Sequence, residues 1–140
     1  MNDLATVESI LGLIMSIIFG AIIGLEREIT HKPAGLRTHM LVCLGSCLFT
    51  VTSQEFGMDP ARVAAGIVTG IGFIGAGTII AEQGKVVGIT TASSLWVTAA
   101  IGLTIGVGHY LLAAVSTLLV FLILTSKIIF KKFSVSIFSS

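Results

Sequence analysis

The residues of this chain that could do chemistry stand at the ends of its apolar runs. The first set is Glu26-Arg27-Glu28, followed by Lys32, Arg37, Thr38 and His39. Charge beside a membrane-length apolar run is expensive and is normally paired. The pattern therefore predicts an ion-paired cluster of Glu26, Arg27, Glu28, Arg37 and Thr38, with Arg37 reaching Glu26 or Glu28 of the neighbouring helix. Glu26 and Arg27 abut the apolar run most closely, so they are the members expected to be partly buried. The plainer reading is anchoring, because charges at helix ends snorkel to water and basic residues collect on the cytoplasmic side.

A second set lies at Gly88-Ile89-Thr90-Thr91-Ala92-Ser93-Ser94. A helix N-terminus with bare N–H groups can hold an anion. Capping by Thr90 or Thr91 is the favoured reading. Trp96 is read as an interfacial belt residue or as an aromatic packed over the glycines of the preceding helix. Cys43 and Cys47 are four apart and share a helix face, as small packing residues do. The three histidines are scattered. With no nucleophile in reach of a base and no ligand spacing, we expect no enzyme, no cofactor and no metal site.

The elements that must position these residues follow from composition. The 140 residues are 54% hydrophobic and 11% charged, against about 25% charged in soluble domains. Mean hydropathy is +1.05. This predicts an all-α integral membrane protein with the lipid bilayer around it. A net charge of +1 carries no signal of a nucleic-acid partner. Spans need about 17–25 apolar residues, and the charges cut the chain into five. They form a single transmembrane domain over 1–140, a compact bundle with helices at about 9–25, 38–54, 61–81, 90–107 and 110–129. Asp59 and Pro60 suit the cap and first position of the third helix. The first loop (Arg27, Lys32, Arg37), Lys85 and the tail (Lys127, Lys131, Lys132) fall on one side, and only Arg62 on the other. The positive-inside rule then places the N-terminus outside and the C-terminus in the cytoplasm of a multi-pass protein.

Glycine patterning concentrates in the third helix, at Gly66, Gly70, Gly72, Gly75 and Gly77. Small residues let membrane helices approach closely, so this helix is expected to be the most crowded, or to be broken near Gly75–Gly77. Gly70, Gly72, Phe73, Gly75, Gly77, Thr90, Thr91 and Trp96 are the candidate packing or partner-binding residues. Gly20-x-x-x-Gly24 and Gly102-x-x-x-Gly106 repeat the pattern. A spare seam on the first or fourth helix is expected to make a homodimer, with Ile23 or Ile105 near its interface.

Three ordered blocks resemble the MgtC/SapB family of bacterial inner-membrane proteins. They are Gly24-Leu-Glu-Arg27 with Ala34-Gly-Leu-Arg-Thr38, then Gly70-Ile-Gly-Phe-Ile-Gly-Ala-Gly77, then Gly88-Ile-Thr-Thr-Ala-Ser-Ser-Leu-Trp96 leading to Ala99-Ala-Ile-Gly102. The resemblance implies a cell inner-membrane location and a role in magnesium homeostasis, adaptation to low magnesium and virulence. It also implies regulation by contact with the proton-driven ATP synthase. Many relatives carry a soluble C-terminal domain, so a sequence ending at Ser140 is expected to be a membrane-only member. The alternative function is a small homo-oligomeric ion channel or transporter.

Overall fold

Apolar runs long enough to close their own backbone hydrogen bonds become helices, and the computed structural model of the chain has five. It describes residues 3–57, 59–82 and 85–138. The elements are α1 (Asp3–Ile29), α2 (Leu36–Glu55), α3 (Pro60–Ala76), a hairpin of β1 (Ile80–Glu82) and β2 (Lys85–Val87), α4 (Ile89–Gly106) and α5 (Tyr110–Phe138). Ala5–Ile29 of α1 and Ile89–Gly106 of α4 are long and apolar enough to cross a membrane, and Ala61–Ala76 and Tyr110–Ser126 are shorter apolar helices.

Local signals set the ends. Asp59 caps α3, its carboxylate accepting from Ala61 N at 3.0 Å, with Pro60 opening the helix. α3 ends at Ala76, five residues before the expected Ala81. Gly77, still right-handed at φ −63°, closes it through bonds to Gly75 O and Phe73 O. The chain does not resume a helix there. Ile80–Glu82 instead pairs antiparallel with Lys85–Val87, Ile80 opposite Val87. Gly88 then turns the chain into α4 at φ 95°. A Cβ at Gly88 would run into the Thr78 carbonyl, so only glycine fits both the backbone angle and the space. Gly88 is thus the N-cap of α4, in place of the expected Thr90 or Thr91, and it offers no side-chain cap.

α2 and α4 form the centre. α1 lies along α2, α5 packs on α1 and α4, and α3 rests mainly on α4 with a thinner contact to α2. One apolar core joins Ile23, Cys43, Cys47, Ile101, Ile105 and Ala113. A second joins Ala34, Ile71, Leu95 and Ala99 under α3.

Close approach is concentrated elsewhere than the sequence suggests. A Cβ on Gly20 would stand 2.7 Å from His39 O, and one on Gly24 2.8 Å from the Leu36 Cα. A Cβ on Gly106 would stand 2.6 Å from the Thr50 Cβ, and Gly102 leaves no room beside the Cys43 carbonyl. Both seams are therefore filled by α2. A Cβ on Gly66, Gly70 or Gly72 of α3 would meet nothing within 4 Å among the described residues. These three glycines of α3 are thus uncrowded, in contrast to the glycine pairs of α1 and α4. Ile23 and Ile105, the positions expected near a dimer contact, are 0% and 1% exposed.

Candidate functional site at one end of the bundle

The polarity of the molecule is reversed relative to a protein in water. Phe73 is 85% exposed and Leu111 80%, with many further Leu, Ile and Phe side chains outward. Ser16, His39, Ser46, Thr50, Thr91, Ser94, Thr98 and Thr117 lie buried. That distribution suits lipid outside and polar helix contacts within. Most of the buried hydroxyls bond to carbonyls one turn back in their own helix: Ser16 to Leu13, Thr50 to Ser46, Ser94 to Thr91, Thr98 to Ser94 and Thr117 to Ala113. They fill space in the helix contacts, and Ser94 in addition bonds across to another helix.

The polar cluster gathers where the end of α1 meets the starts of α2 and α4. Glu26 and Arg27 are 6% and 3% exposed, as their place against the apolar run suggests. They pair with each other, Arg27 Nη1 donating to Glu26 Oε2 at 3.3 Å, and Arg27 Nε is buried with no partner among the described residues. Glu28 is exposed and has a different task. Its Oε2 accepts from Leu36 N at 2.9 Å, which caps α2, whose own N-cap Gly35 has no side chain to do so. The sequence paired Arg37 with Glu26 or Glu28. Arg37 is exposed and forms no ion pair among the described residues, Glu26 being taken by Arg27 and Glu28 by Leu36 N. Thr38 is half-buried on the groove between α2 and α3.

His39 was not singled out on its own in the sequence, and it is the residue that joins the cluster. It is fully buried. Its Nδ1 lies 2.9 Å from Gly35 O and its Nε2 lies 3.1 Å from Ser94 Oγ. A carbonyl only accepts, so Nδ1 carries a proton. On a neutral ring the Ser94 hydroxyl donates to Nε2. On a doubly protonated ring Ser94 accepts and turns its own proton to Thr91 O, 2.8 Å away. The one available signal was a histidine in the first turn of α2, directly before the apolar run from Met40.

The remaining candidates are spread along α3 and α4. Gly75 is buried, and a Cβ on it would stand 3.5 Å from the Ala92 Cβ, whereas Gly70, Gly72, Phe73 and Gly77 are exposed. Thr90 is exposed and Thr91 is buried. Trp96 is 50% exposed and borders the α3–α4 groove together with Gly72 and Gly75. No cluster of His, Cys, Asp and Glu suited to a metal occurs among the described residues.

An all-helical membrane protein with a buried ion pair at one end of the bundle and an apolar surface is the class these features define. Within that class the chain belongs to the MgtC family, whose model matches residues 13–133. It is 45% identical over 129 residues to "Putative magnesium transporter YhiD" of Escherichia coli strain K12, covering 85% of this chain and 60% of that protein. It is 43% identical over 112 residues to "Protein MgtC" of Salmonella typhimurium strain LT2, covering 79% and 48%. It is 47% identical over 105 residues to "Protein MgtC" of Brucella abortus strain 2308, covering 74% and 44%. The chain thus spans about half the length of the curated relatives it matches. No solved structure matches it.

Proposed function

We propose that this chain acts as a regulatory protein of the bacterial inner membrane, linked to magnesium homeostasis, that works by binding another membrane complex through α3. The observation that carries this reading is the bare glycines of α3. A Cβ on Gly66 or Gly70, which share a face, or on Gly72 would meet nothing within 4 Å among the described residues, while the seams of α1 and α4 are filled inside the chain. A helix with exposed glycine backbone in lipid is a ready contact for another helix. The self-satisfied hydroxyls of the interior also favour contact over conduction. In this reading the chain crosses the membrane five times, N-terminus out and C-terminus in the cytoplasm, as the Lys and Arg bias requires. The same α3 face serves a homodimer. The ATP synthase is the complex that the family resemblance implies, with adaptation to low magnesium and survival in the host as the setting. The printed name of the Escherichia coli relative keeps transport as the second reading.

Cysteine crosslinking tests the reading. On a Cys43→Ser, Cys47→Ser background, Gly66→Cys or Gly70→Cys should crosslink in native membranes, to a second copy or to a partner band. If neither site crosslinks while the protein stays folded, the α3 contact is wrong. A reporter fused after Ser140 should be cytoplasmic, and one fused before Asn2 should report the opposite side.

A further inference from the structure

α3 touches α2 thinly, and between them runs an apolar groove, from Thr38 to Phe56 on one wall and from Val63 to Ile74 on the other. The α2 wall is one stripe of the helix. Leu41, Gly45, Phe49 and Thr52 recur every three or four residues and so share a face. Glycines keep the groove open. A Cβ on Gly45 of α2, or on Gly66 or Gly70 of α3, would meet nothing within 4 Å among the described residues.

Phe49 and Ile67 border both halves of the groove, which divides there into sections of about 480 Å³ and about 450 Å³. The roughly eleven residues of helix from Thr38 to Phe49 rise about 16 Å. That is close to half of a hydrocarbon core of about 30 Å. A methylene takes about the volume of a water in the liquid, roughly 30 Å³, so the first section has room for on the order of sixteen methylenes. Its length and its volume are those of one fatty acyl chain in one leaflet.

The mouth of this section is basic. Arg37 stands one turn before Leu41 on the same stripe, exposed and without an ion pair among the described residues. Thr38 lines the mouth. Unlike Thr50, Thr98 and Thr117, it makes no hydroxyl bond to the carbonyl one turn back among the described residues. Glu28, the exposed carboxylate at the start of α2, is engaged by Leu36 N. Lys32 and Lys85 are exposed at the same end. The other end of the groove carries Glu55 and Asp59 against Arg62. An anionic headgroup is therefore drawn to the Arg37 end, as headgroups are to basic pockets between membrane helices.

We propose that the α2–α3 groove binds one anionic phospholipid, with its phosphate on Arg37 and Thr38 and one acyl chain along Leu41, Gly45 and Phe49. The site belongs to the free chain and does not rest on the partner reading. A helix docked on Gly66 and Gly70 would take the lipid's place.

Native mass spectrometry of the full chain tests it, with phosphatidylglycerol and phosphatidylcholine of the same acyl chains titrated in turn. The first phosphatidylglycerol should bind about fivefold more tightly than the first phosphatidylcholine, the difference that one basic contact at a membrane surface makes. Arg37→Gln should remove that preference, and Arg37→Lys should keep most of it. Gly45→Leu fills the groove and should weaken binding of both lipids. Equal binding of the two lipids by the parent chain, a preference that survives Arg37→Gln, or unchanged binding by Gly45→Leu would overturn the proposal. Should Gly45→Leu fail to fold, Phe49→Trp on a Trp96→Phe background decides it in phosphatidylcholine vesicles. Brominated-chain phosphatidylglycerol should then quench the fluorescence at a lower mole fraction than brominated-chain phosphatidylcholine. Equal quenching would mean ordinary surrounding lipid only and refute the site. The α3 crosslinks can fail while this lipid binds, and the reverse, so the two readings fall separately.

Discussion

The Nε2 of His39 lies 3.1 Å from the Oγ of Ser94, a hydrogen bond between residues 55 positions apart. It fastens α2 to α4 beside the fully buried Leu95, in the layer where the Glu26–Arg27 pair is also buried. Both central helices therefore depend on one imidazole and one hydroxyl for their polar contact at this end.

A double-mutant cycle on His39→Ala and Ser94→Ala should give a coupling of about 0.6 kcal/mol, and at most about 1.7, the range for hydrogen bonds between membrane helices. His39→Ala alone should cost more than the coupling, because it also empties a fully buried volume. Unfolding of the detergent-solubilised variants measures both. Additive effects would show that the two groups do not bond.

Glycine substitutions should split by helix. Gly106→Ala overpacks the contact with Thr50 and should lose about 1–3 kcal/mol. Gly70→Ala meets nothing and should be neutral or gain up to about 1 kcal/mol of helix propensity. Gly70→Leu should melt like the parent chain while losing any partner that uses α3. Equal losses at both sites would refute the difference in crowding.

Glu28→Ala removes the acceptor from Leu36 N and should cost about 1 kcal/mol, as the loss of a helix cap does. Glu28→Gln keeps an acceptor and should cost less. Arg37→Ala should cost almost nothing and add independently to Glu28→Ala, in contrast to the pairing expected from sequence. Non-additivity in thermal unfolding would restore that pair.

Glu26→Gln leaves Arg27 buried beside a neutral amide. It should cost about 3 kcal/mol, as breaking buried pairs does, and Arg27→Met on that background should recover part of the loss. Folded protein in membranes and its unfolding midpoint are the readouts. If the double variant is worse than the single, Arg27 is held by something other than Glu26.

Much of the architecture is legible in the chain. The apolar runs mark five helices, Asp59 and Pro60 mark the start of α3, and the place of Glu26 and Arg27 against the first run marks them for burial. The hairpin at Ile80–Val87 was less so, because a short apolar run bounded by glycines reads equally as the end of a helix or as a strand. Its pairing is made across the turn and leaves no periodic mark of its own.

What only the tertiary structure decided is which partner each face meets. Gly20/Gly24, Gly66/Gly70 and Gly102/Gly106 share one spacing, so sequence alone ranks them equally. Packing assigns the first and last to α2 and leaves the α3 pair bare. Glu28 likewise turns from a supposed ion pair into a cap, and His39 finds Ser94 on a helix far along the chain. Composition and periodicity depend on neighbours in sequence, and they determined that helices form and which residues leave water. The choice among chemically similar faces depends on how rigid helices stack together, and that exists only once they have packed.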